Sequence, residues 1–257
     1  MSESRRLVLK FGSGILANLD GTALDDAQFE RLCAEVAAVV KDGWECAIVS
    51  SGAVAAGLDV LELHERPESL AARQACAAIG QSKLMQSYAR HFATHELNVA
   101  QLLLTHGDLD SRTRYENARS TLAHLFRRRT VVPIINENDS VAVEELKFGD
   151  NDRLSAEVAV LAGATRLVML TSVAGLLDEN GNVVAEVEDI ERASTLARAD
   201  KGRLSVGGMV SKLQAVKRAT DAGIPTCVAS GRTPGVIAEI LAGRPVGTRF
   251  LVKNSNG

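Results

Sequence analysis

The sequence lacks the cysteine patterns that mark disulfide-rich or zinc-binding proteins. Its four cysteines, Cys33, Cys46, Cys76 and Cys227, are scattered along 257 residues, with no C-x-x-C pair and no histidine at metal-ligand spacing. Isolated thiols of this kind are typical of small core residues in a reducing compartment. We therefore expect most or all of them to be buried.

Aromatic residues are few, and neither charge is in large excess. Aromatic side chains make up 4% of the residues, and the formal net charge is −3. Arginines interleaved with aromatics do not occur, so the sequence does not favour nucleic acid as a partner. The run Arg127–Arg129 is interpreted as a solvated helix end.

Long hydrophobic runs are absent as well. No apolar span of 18 residues occurs, and the opening MSESRRLVLK has no apolar stretch followed by a cleavage site. The sequence therefore predicts neither a membrane-spanning helix nor a secretory leader. The expected location is the cytoplasm.

What the sequence does contain is an alternation of short aliphatic runs with longer segments of helical periodicity. This alternation predicts an α/β fold whose mainly parallel sheet is covered by helices on both faces. Asn180–Gly181 predicts a β-hairpin inserted after the fifth strand. The strand candidates are RLVLKF (6–11), ECAIVS (45–50), NVAQLLL (98–104), TVVPII (130–135), TRLVMLT (165–171) and IPTCVAS (224–230), and the helix candidates are 25–42, 70–93, 113–128, 153–162 and 209–222.

An acidic cluster, Asp150 to Asp152, precedes one of these helices. Leu154, Val158 and Leu161 repeat at helical spacing after it, which predicts a helix with one buried face. An Asp or Asn ahead of a helix accepts hydrogen bonds from its first free N–H groups. Capping uses one such residue, so the other members of the cluster are candidates for a functional role.

Two glycine-rich turns are predicted at the carboxyl ends of strands, where ligands of parallel sheets collect. Lys10 ends the first strand and is followed by Gly12 and Gly14, whose bare backbone can approach an anion. Gly207–Gly208 precedes a predicted helix with Lys212 in its first turn, where a lysine opposes the helix dipole unless an anion binds beside it.

The first of these turns leaves a second interpretation open. Gly12, Gly14 and Ala17 fit the dinucleotide fingerprint G-x-G-x-x-G/A, which is typical of NAD(P)-dependent oxidoreductases. The segment after Gly14 resembles a turn rather than a helix, however, and the next strand ends in Ser50–Ser51 instead of the acidic residue that a ribose needs.

Polar residues follow two further strands. Ser51 and Gly52 open a helix of small residues, whose first N–H groups could hold a carboxylate or a phosphate. Asn136 to Asp139 follow the fourth strand, and four consecutive polar residues exceed the needs of a turn. We interpret the second group as a site for an ammonium group or a polar small molecule.

The combined pattern points to phosphate chemistry without a Walker A loop, since G-x-x-x-x-G-K-[ST] does not occur. All five histidines lie outside the turns described above: His64, His91, His95, His106 and His124. A carboxylate nucleophile tolerates that absence, because it is already ionised above a pKa of about 4.

Taken together, the motifs resemble those of the amino acid kinase family, in that family's order and spacing, to about Thr248. They are LVLKFGSG, IVSSGAVAAG, INENDSVA, FGDNDRLSAEVA, MLTSVAGL and GGMVSKLQAV. The resemblance implies a three-layer αβα sandwich and a single kinase domain over 1–257, without the C-terminal PUA domain of many members. It further implies an acceptor lobe at about 1–165 and an ATP lobe at 166–257.

INEND together with GDND resembles the members that phosphorylate L-glutamate on its side-chain carboxylate with MgATP, the first step of proline biosynthesis. The catalytic residues implied are Lys10 and Lys212, which would neutralise the transferring phosphoryl group, and Asp152, which would orient those lysines. The acceptor residues implied are Ser51, Gly52, Asn136, Asp139, Asp150 and Asn151. The ATP-site residues implied are Lys10, Gly12, Thr171, Ser172, Val206, Gly207, Gly208, Met209, Val210, Ser211 and Lys212, and no residue is assigned as a metal ligand.

Two positions depart from the family pattern, because Ser172 stands where an Asp is usual and Val206 where a Thr is common. These departures leave a catalytically weak nucleotide-binding regulator open as an alternative. Among kinases, one for another acyl acceptor such as N-acetylglutamate also stays open, although the polar INEND cluster suits a free ammonium group. The resemblance also implies a homo-oligomer, dimer or tetramer, and proline as a feedback inhibitor.

Overall fold

A computed structural model describes residues 5–142, 150–191, 193–194 and 206–252, and in these ranges the strands form one sheet. The strands are β1 (Arg6–Phe11), β2 (Glu45–Val49), β3 (Asn98–Leu104), β4 (Val131–Glu137), β5 (Arg166–Thr171), β6 (Glu186–Val187), β7 (Thr226–Ser230) and β8 (Thr248–Phe250). Their order across the sheet is β3-β4-β2-β1-β5-β7-β8-β6. Every neighbouring pair is parallel except β7 and β8.

The helices cover both faces of this sheet. They are α1 (Ser13–Leu16), α2 (Asp26–Lys41), α3 (Ala53–Val60), α4 (Leu70–Ala93), α5 (His106–Asp110), α6 (Arg112–Phe126), α7 (Asp150–Ala162), α8 (Val206–Asp221) and α9 (Val236–Leu241). One apolar core joins the sheet to α6, α7 and α8, and the other joins it to α2, α4 and α9. The predicted α/β class and three-layer arrangement are confirmed.

Alternation along β1 decides which core each of its side chains enters. Leu7, Leu9 and Phe11 belong to the core with α2 and α4, whereas Val8 belongs to the core with α7. Successive strand side chains point to opposite faces, so Lys10 shares the face of Val8. This parity directs Lys10 toward α7.

All six predicted strands and all five predicted helices are present. The predicted turn at Asn180–Gly181 is confirmed by an antiparallel bridge between Leu177 and Val183, with Gly181 at a φ of 82°. The sequence pattern of aliphatic runs did not predict β6 and β8, because strands of two and three residues are too short to show a periodicity.

Among the predicted boundaries, three that lie at candidate sites were wrong. The helix after the acidic cluster begins at Asp150, so the cluster forms its first turn instead of preceding it. α8 begins at Val206, which puts Lys212 in its second turn rather than its first. β4 runs on to Glu137, so half of the polar group that was expected beyond the strand lies within it.

Close packing of α3 against α4 depends on two glycines. A Cβ placed on Gly57 would lie 1.9 Å from the Cys76 carbonyl oxygen, and one on Gly80 would lie 1.8 Å from that of Ala53. No side chain fits at those distances, so the two helix backbones touch. The contact holds α3 against α4, and α3 begins directly after Ser51 and Gly52.

Replacement of Gly80 by alanine is expected to lower the free energy of unfolding by about 2 kcal/mol or more, because the added methyl group must push the helices apart. Urea unfolding of the wild-type protein and the variant measures this difference. Gly107→Ala is the matched control, since a Cβ there meets nothing closer than Thr105 Oγ1 at 3.7 Å. Equal loss of stability in both variants would contradict the packing argument.

The remaining expectations from composition concern the thiols, the arginine run and the membrane. All four cysteines are buried and free, as predicted, and burial raises the pKa of Cys46 and Cys227 to about 12. The run Arg127–Arg129 is exposed just after α6. Within the described ranges, no helix has the length and apolar character needed to cross a membrane.

Candidate active site

A buried carboxylate holds two lysines from different parts of the chain. Asp152, in the first turn of α7, lies 2.5 Å from Lys10 Nζ through Oδ1 and 3.1 Å from Lys212 Nζ through Oδ2. Lys212 Nζ also donates to the Gly208 carbonyl oxygen at 3.3 Å. Asp152 is 1% exposed and Lys10 is 6% exposed, whereas Lys212 is half-buried.

The pKa values follow from this burial and these charges. Burial opposes ionisation of Asp152, but the charges of Lys10 and Lys212 outweigh it and lower the pKa of the carboxyl group. Burial lowers the pKa of Lys10, with the Asp152 charge opposing this effect and the Lys212 charge adding to it. The two lysine ammonium groups therefore share the one Asp152 carboxylate. The cluster keeps a net positive charge at the carboxyl ends of the strands.

This geometry decides what the acidic cluster does at Asp152. Asp152 is the third residue of α7. Both of its carboxylate oxygens contact lysines instead of the free N–H groups of the first turn. Asp152 is therefore one of the members of the cluster that capping does not explain. The side chain of Asp150 lies outside the described residues.

The glycine turn after β1 adjoins the end of β5. Gly12 N donates to the Leu170 carbonyl oxygen at 3.0 Å, and a Cβ on Gly12 would lie only 3.5 Å from Lys10 Nζ. Thr171, the last residue of β5, is buried, and the exposed Ser172 follows it. A Cβ on Gly14 would lie 3.4 Å from Ser172 Oγ, so the two turns are direct neighbours.

The start of α8 brings the second glycine pair to the same place. Gly208 to Lys212 are half-buried and belong to its first two turns. Val206 and Gly207 open the helix, but their side-chain positions are outside the described residues. Of the predicted ATP-site residues, therefore, Lys10 and Lys212 are joined through Asp152, and Gly12 lies beside Lys10.

A second polar network lies two strands away from Lys10. Asn151 Nδ2 donates to Ser51 Oγ at 3.3 Å, and its Oδ1 accepts from the Glu137 backbone N–H at 3.4 Å. The same N–H donates to Asn136 Oδ1 at 2.9 Å. Three of the predicted acceptor residues, Ser51, Asn136 and Asn151, are thereby connected.

Gly52 and Asp139 are two further predicted acceptor residues that the structure describes. Gly52 is the residue before α3 and has a φ of 96°, a left-handed conformation that favours glycine. Asp139 is half-buried in the turn after β4. The structure therefore places Asp139 at the same edge of the sheet as Asn136.

Two residues at this edge carried no signal that the sequence analysis used. Gln81 reaches Asn136 from α4, with its Oε1 accepting from Asn136 Nδ2 at 2.8 Å. Arg232, in the turn after β7, donates to the carbonyl oxygens of Gly14 at 2.9 Å and Ala17 at 3.2 Å, which braces the glycine turn. The turn after β7 also lies at a carboxyl strand end, so the rule that found the other turns could have found Arg232.

A pair formed by His106 and Glu157 lies beside the acceptor network. His106 Nδ1 lies 3.1 Å from Glu157 Oε2, and Glu157 also contacts Arg153 and Arg218. The hydrogen bond to Glu157 raises the pKa of His106, against the opposing effect of burial, and Glu137 adds to the rise. Burial of Glu157 is outweighed by its partners, so its pKa is lowered.

The raised pKa of His106 predicts a pH-dependent contribution to stability. A group whose pKa is raised on folding stabilises the protein fully below its unfolded pKa of about 6.5, and this stabilisation is lost as the pH rises through the folded value. We expect His106→Gln to cost about 0.5 to 1 kcal/mol at pH 6, the scale of a screened ion pair, and less at pH 9. Urea unfolding at both pH values measures the change.

The exposed His64 provides the matched control for this prediction. His64→Gln should leave the free energy of unfolding unchanged at both values. A cost of His106→Gln that is the same at pH 6 and pH 9 would show that protonation of the pair does not contribute.

Comparison with known proteins identifies the family. The sequence pattern of the amino acid kinase family matches residues 5–230, which is most of the chain. The chain belongs to the amino acid kinase family. Among solved structures, the chain is similar to Giardia carbamate kinase, with a TM-score of 0.67 and 13% sequence identity. The match covers 97% of this chain and 99% of the carbamate kinase chain. This likeness shows the fold.

Relatives with higher sequence identity to the chain are named glutamate 5-kinase. The chain is 43% identical to the glutamate 5-kinase of Burkholderia ambifaria over 99% of its length, which is 70% of that protein. It is 44% identical to the glutamate 5-kinase of Geobacter metallireducens over 98% of its length, which is 69% of that protein. This amino acid kinase therefore resembles glutamate 5-kinases across nearly all of its residues.

Proposed function

We propose that the chain transfers the γ-phosphoryl group of ATP to the side-chain carboxylate of L-glutamate, giving L-glutamyl 5-phosphate and ADP, the first step of proline biosynthesis. The observation that carries this function is the 43–44% identity, over 98–99% of the chain, to proteins named glutamate 5-kinase. The buried Lys10–Asp152–Lys212 cluster supplies charges suited to that reaction.

The two lysines act on the group being transferred. A carboxylate acceptor and a triphosphate are both anionic, so charge neutralisation and positioning supply most of the catalysis of phosphoryl transfer. Lys10 and Lys212 offset the negative charge around the transferred phosphorus. Asp152 is a positioning residue, because it holds both ammonium groups at fixed points.

The reaction needs no general base. A glutamate side chain has a pKa of about 4.3, so its carboxylate is ionised at neutral pH and attacks the γ-phosphorus directly. The bond from that phosphorus to the β,γ-bridging oxygen breaks, and its electron pair leaves with ADP. A reaction without a general base agrees with a site built from lysines, amides and hydroxyls.

The two polar clusters divide the substrates between them. Ser51, Asn136 and Asn151, with Gly52, Asp139 and Asp150, bind the acceptor within an N-terminal lobe of about 1–165. The ATP side, within 166–257 together with Lys10 and Gly12, uses Thr171, Ser172 and the first two turns of α8. The lobes meet where β1 pairs with β5, so the sheet is continuous between the sites.

Magnesium enters the proposal as part of the nucleotide substrate. Mg²⁺ prefers oxygen ligands and is commonly held by substrate phosphates together with one or two carboxylates. No group of three or more His, Cys, Asp or Glu side chains is gathered as metal ligands among the described residues. MgATP is accordingly the expected form of the phosphoryl donor.

Regulation, assembly and location complete the proposal. Proline is the expected feedback inhibitor, because it is the end product of the proposed pathway, and a dimer or tetramer is the expected assembly. The cytoplasm is the expected location, as the source of both L-glutamate and MgATP.

Trapping of the acyl phosphate tests the reaction. The purified protein is incubated with MgATP, hydroxylamine and either L-glutamate or N-acetyl-L-glutamate, and the hydroxamate is measured. Product with L-glutamate alone is the expected result, and product with N-acetyl-L-glutamate alone would assign a different acceptor. Binding of ATP with product from neither would favour the regulator, whereas binding of NAD(H) without ATP would favour an oxidoreductase.

A further inference from the structure

The side chain of Gln81 has an unsatisfied donor at the acceptor site. Its Oε1 accepts from Asn136 Nδ2 at 2.8 Å, whereas its Nε2 is buried without a hydrogen-bond partner among the described residues. A buried amide donor without a partner is costly, and native proteins leave few of them. Such a group requires an explanation in terms of a water or a ligand.

The orientation of the amide is fixed by the backbone. Asn136 Oδ1 accepts from the Glu137 N–H, so Asn136 must present its NH₂ group to Gln81. The atom of Gln81 that meets this donor is therefore the carbonyl oxygen. A reversed amide would bring two NH₂ groups together, so the unsatisfied atom of Gln81 is a donor.

The sheet shows which end of the acceptor lies here. β4 is separated from β1 by β2 alone, and Lys10, Val49 and Ile135 pair at one level of the sheet. Two strand spacings place Asn136 about 10 Å from the Lys10 strand position. With the reacting carboxylate at the lysines, the end of the amino acid that reaches β4 is the α-carbon end.

A donor recognises one of the two groups at that end. The α-ammonium group of an amino acid carries only donors, whereas its α-carboxylate carries only acceptors. Gln81 Nε2 is complementary to the carboxylate and not to the ammonium group. A neutral amide also adds no charge that would compete with the lysines for the reacting carboxylate.

We propose that Gln81 is a specificity-determining residue whose Nε2 donates a hydrogen bond to the α-carboxylate of the acceptor. This assignment rests on the proposed function, because it takes the acceptor to be an α-amino acid with a second, reacting carboxylate. Gln81 belongs to none of the motifs that identify the family. Its position depends on α4, whose packing against α3 is set by Gly57 and Gly80.

Gln81→Glu provides the sharpest test, since it keeps the oxygen that Asn136 contacts and exchanges the donor for an anionic acceptor. The Michaelis constant for L-glutamate should rise at least tenfold, while kcat at saturating L-glutamate and the Michaelis constant for ATP change less than threefold. Gln86→Glu is the matched control, because Gln86 is exposed on the same helix.

A second substrate separates recognition from a general structural effect. L-isoglutamine has an amide in place of the α-carboxylate and keeps the reacting carboxylate. The ratio of kcat/KM for L-glutamate to that for L-isoglutamine should fall at least tenfold in Gln81→Glu. A structural defect would lower both values together and leave the ratio unchanged. Where L-isoglutamine turns over too slowly, its inhibition constant against L-glutamate replaces kcat/KM.

The other outcomes of the Gln81→Glu experiment also decide whether Gln81 binds the α-carboxylate. An unchanged ratio, or a lowered Michaelis constant for L-glutamate, would overturn the inference, the latter because it would place the ammonium group at Gln81. Should Gln81→Glu fail to fold, Gln81→Met removes the donor without adding charge, and the same ratio is measured. A wild-type protein that is inactive with L-glutamate would refute the proposed function instead, so the two failures are distinguishable.

Discussion

Replacement of Lys212 by alanine should lower kcat at least about a hundredfold, which is the scale of losing one contact to the charge of a transition state. Lys212 Nζ is held by Asp152 and by the Gly208 carbonyl oxygen, so its ammonium group is fixed before substrates bind. The Michaelis constant for L-glutamate should change little, since the acceptor network lies around Ser51 and Asn151. Steady-state kinetics of acyl phosphate formation measure both constants.

Lys217 gives the control for this substitution. It lies on the same helix, is half-exposed, and pairs with Asp221 at 2.7 Å, away from the cluster. Lys217→Ala should keep kcat within about twofold of the wild-type value. Near-normal turnover of Lys212→Ala would remove this lysine from the mechanism, and an equal loss in both variants would indicate damage to α8 as a whole.

The sequence was most informative where one local pattern decided the structure. β1, β2, β4, β5 and β7 are buried on both faces, so continuous aliphatic runs identified them. The boundary errors arose where polar residues that bind other side chains look like helix caps or turns. Asn136 and Glu137 are the clearest case, because they are buried strand residues with the composition of a turn.

Local patterns predicted the residue types of the candidate site, whereas only the family resemblance implied that Asp152 holds both lysines. Lys10, Asp152 and Lys212 could each be selected from a strand end or a helix start, but nothing in their spacing places both lysines on one carboxylate. Gln81 could not be found at all, because a glutamine within a long helical pattern has the same local signal whether it faces solvent or a substrate. Its role depends on how α4 packs.

Replacement of Asp152 by asparagine should affect both stability and catalysis, because it leaves the buried Lys10 and the half-buried Lys212 without their shared anion. Breaking a buried ion pair by removing one partner costs about 3 to 5 kcal/mol. We expect a cost of roughly 3 kcal/mol here, the lower end of that range, since Lys10 can relieve the repulsion by releasing its proton. Urea unfolding at pH 7 measures this loss, and kcat should fall at least about a hundredfold.

The pH dependence shows whether the carboxylate acts through the lysines. Burial already lowers the pKa of Lys10, and Asp152 opposes that effect. Without the carboxylate the pKa of Lys10 must fall further, so the alkaline loss of kcat in Asp152→Asn should begin at a lower pH than in the wild-type protein. A purely structural role for Asp152 would lower kcat by the same factor at every pH. An unshifted alkaline limb would therefore contradict the positioning role of Asp152, even if the variant were unstable.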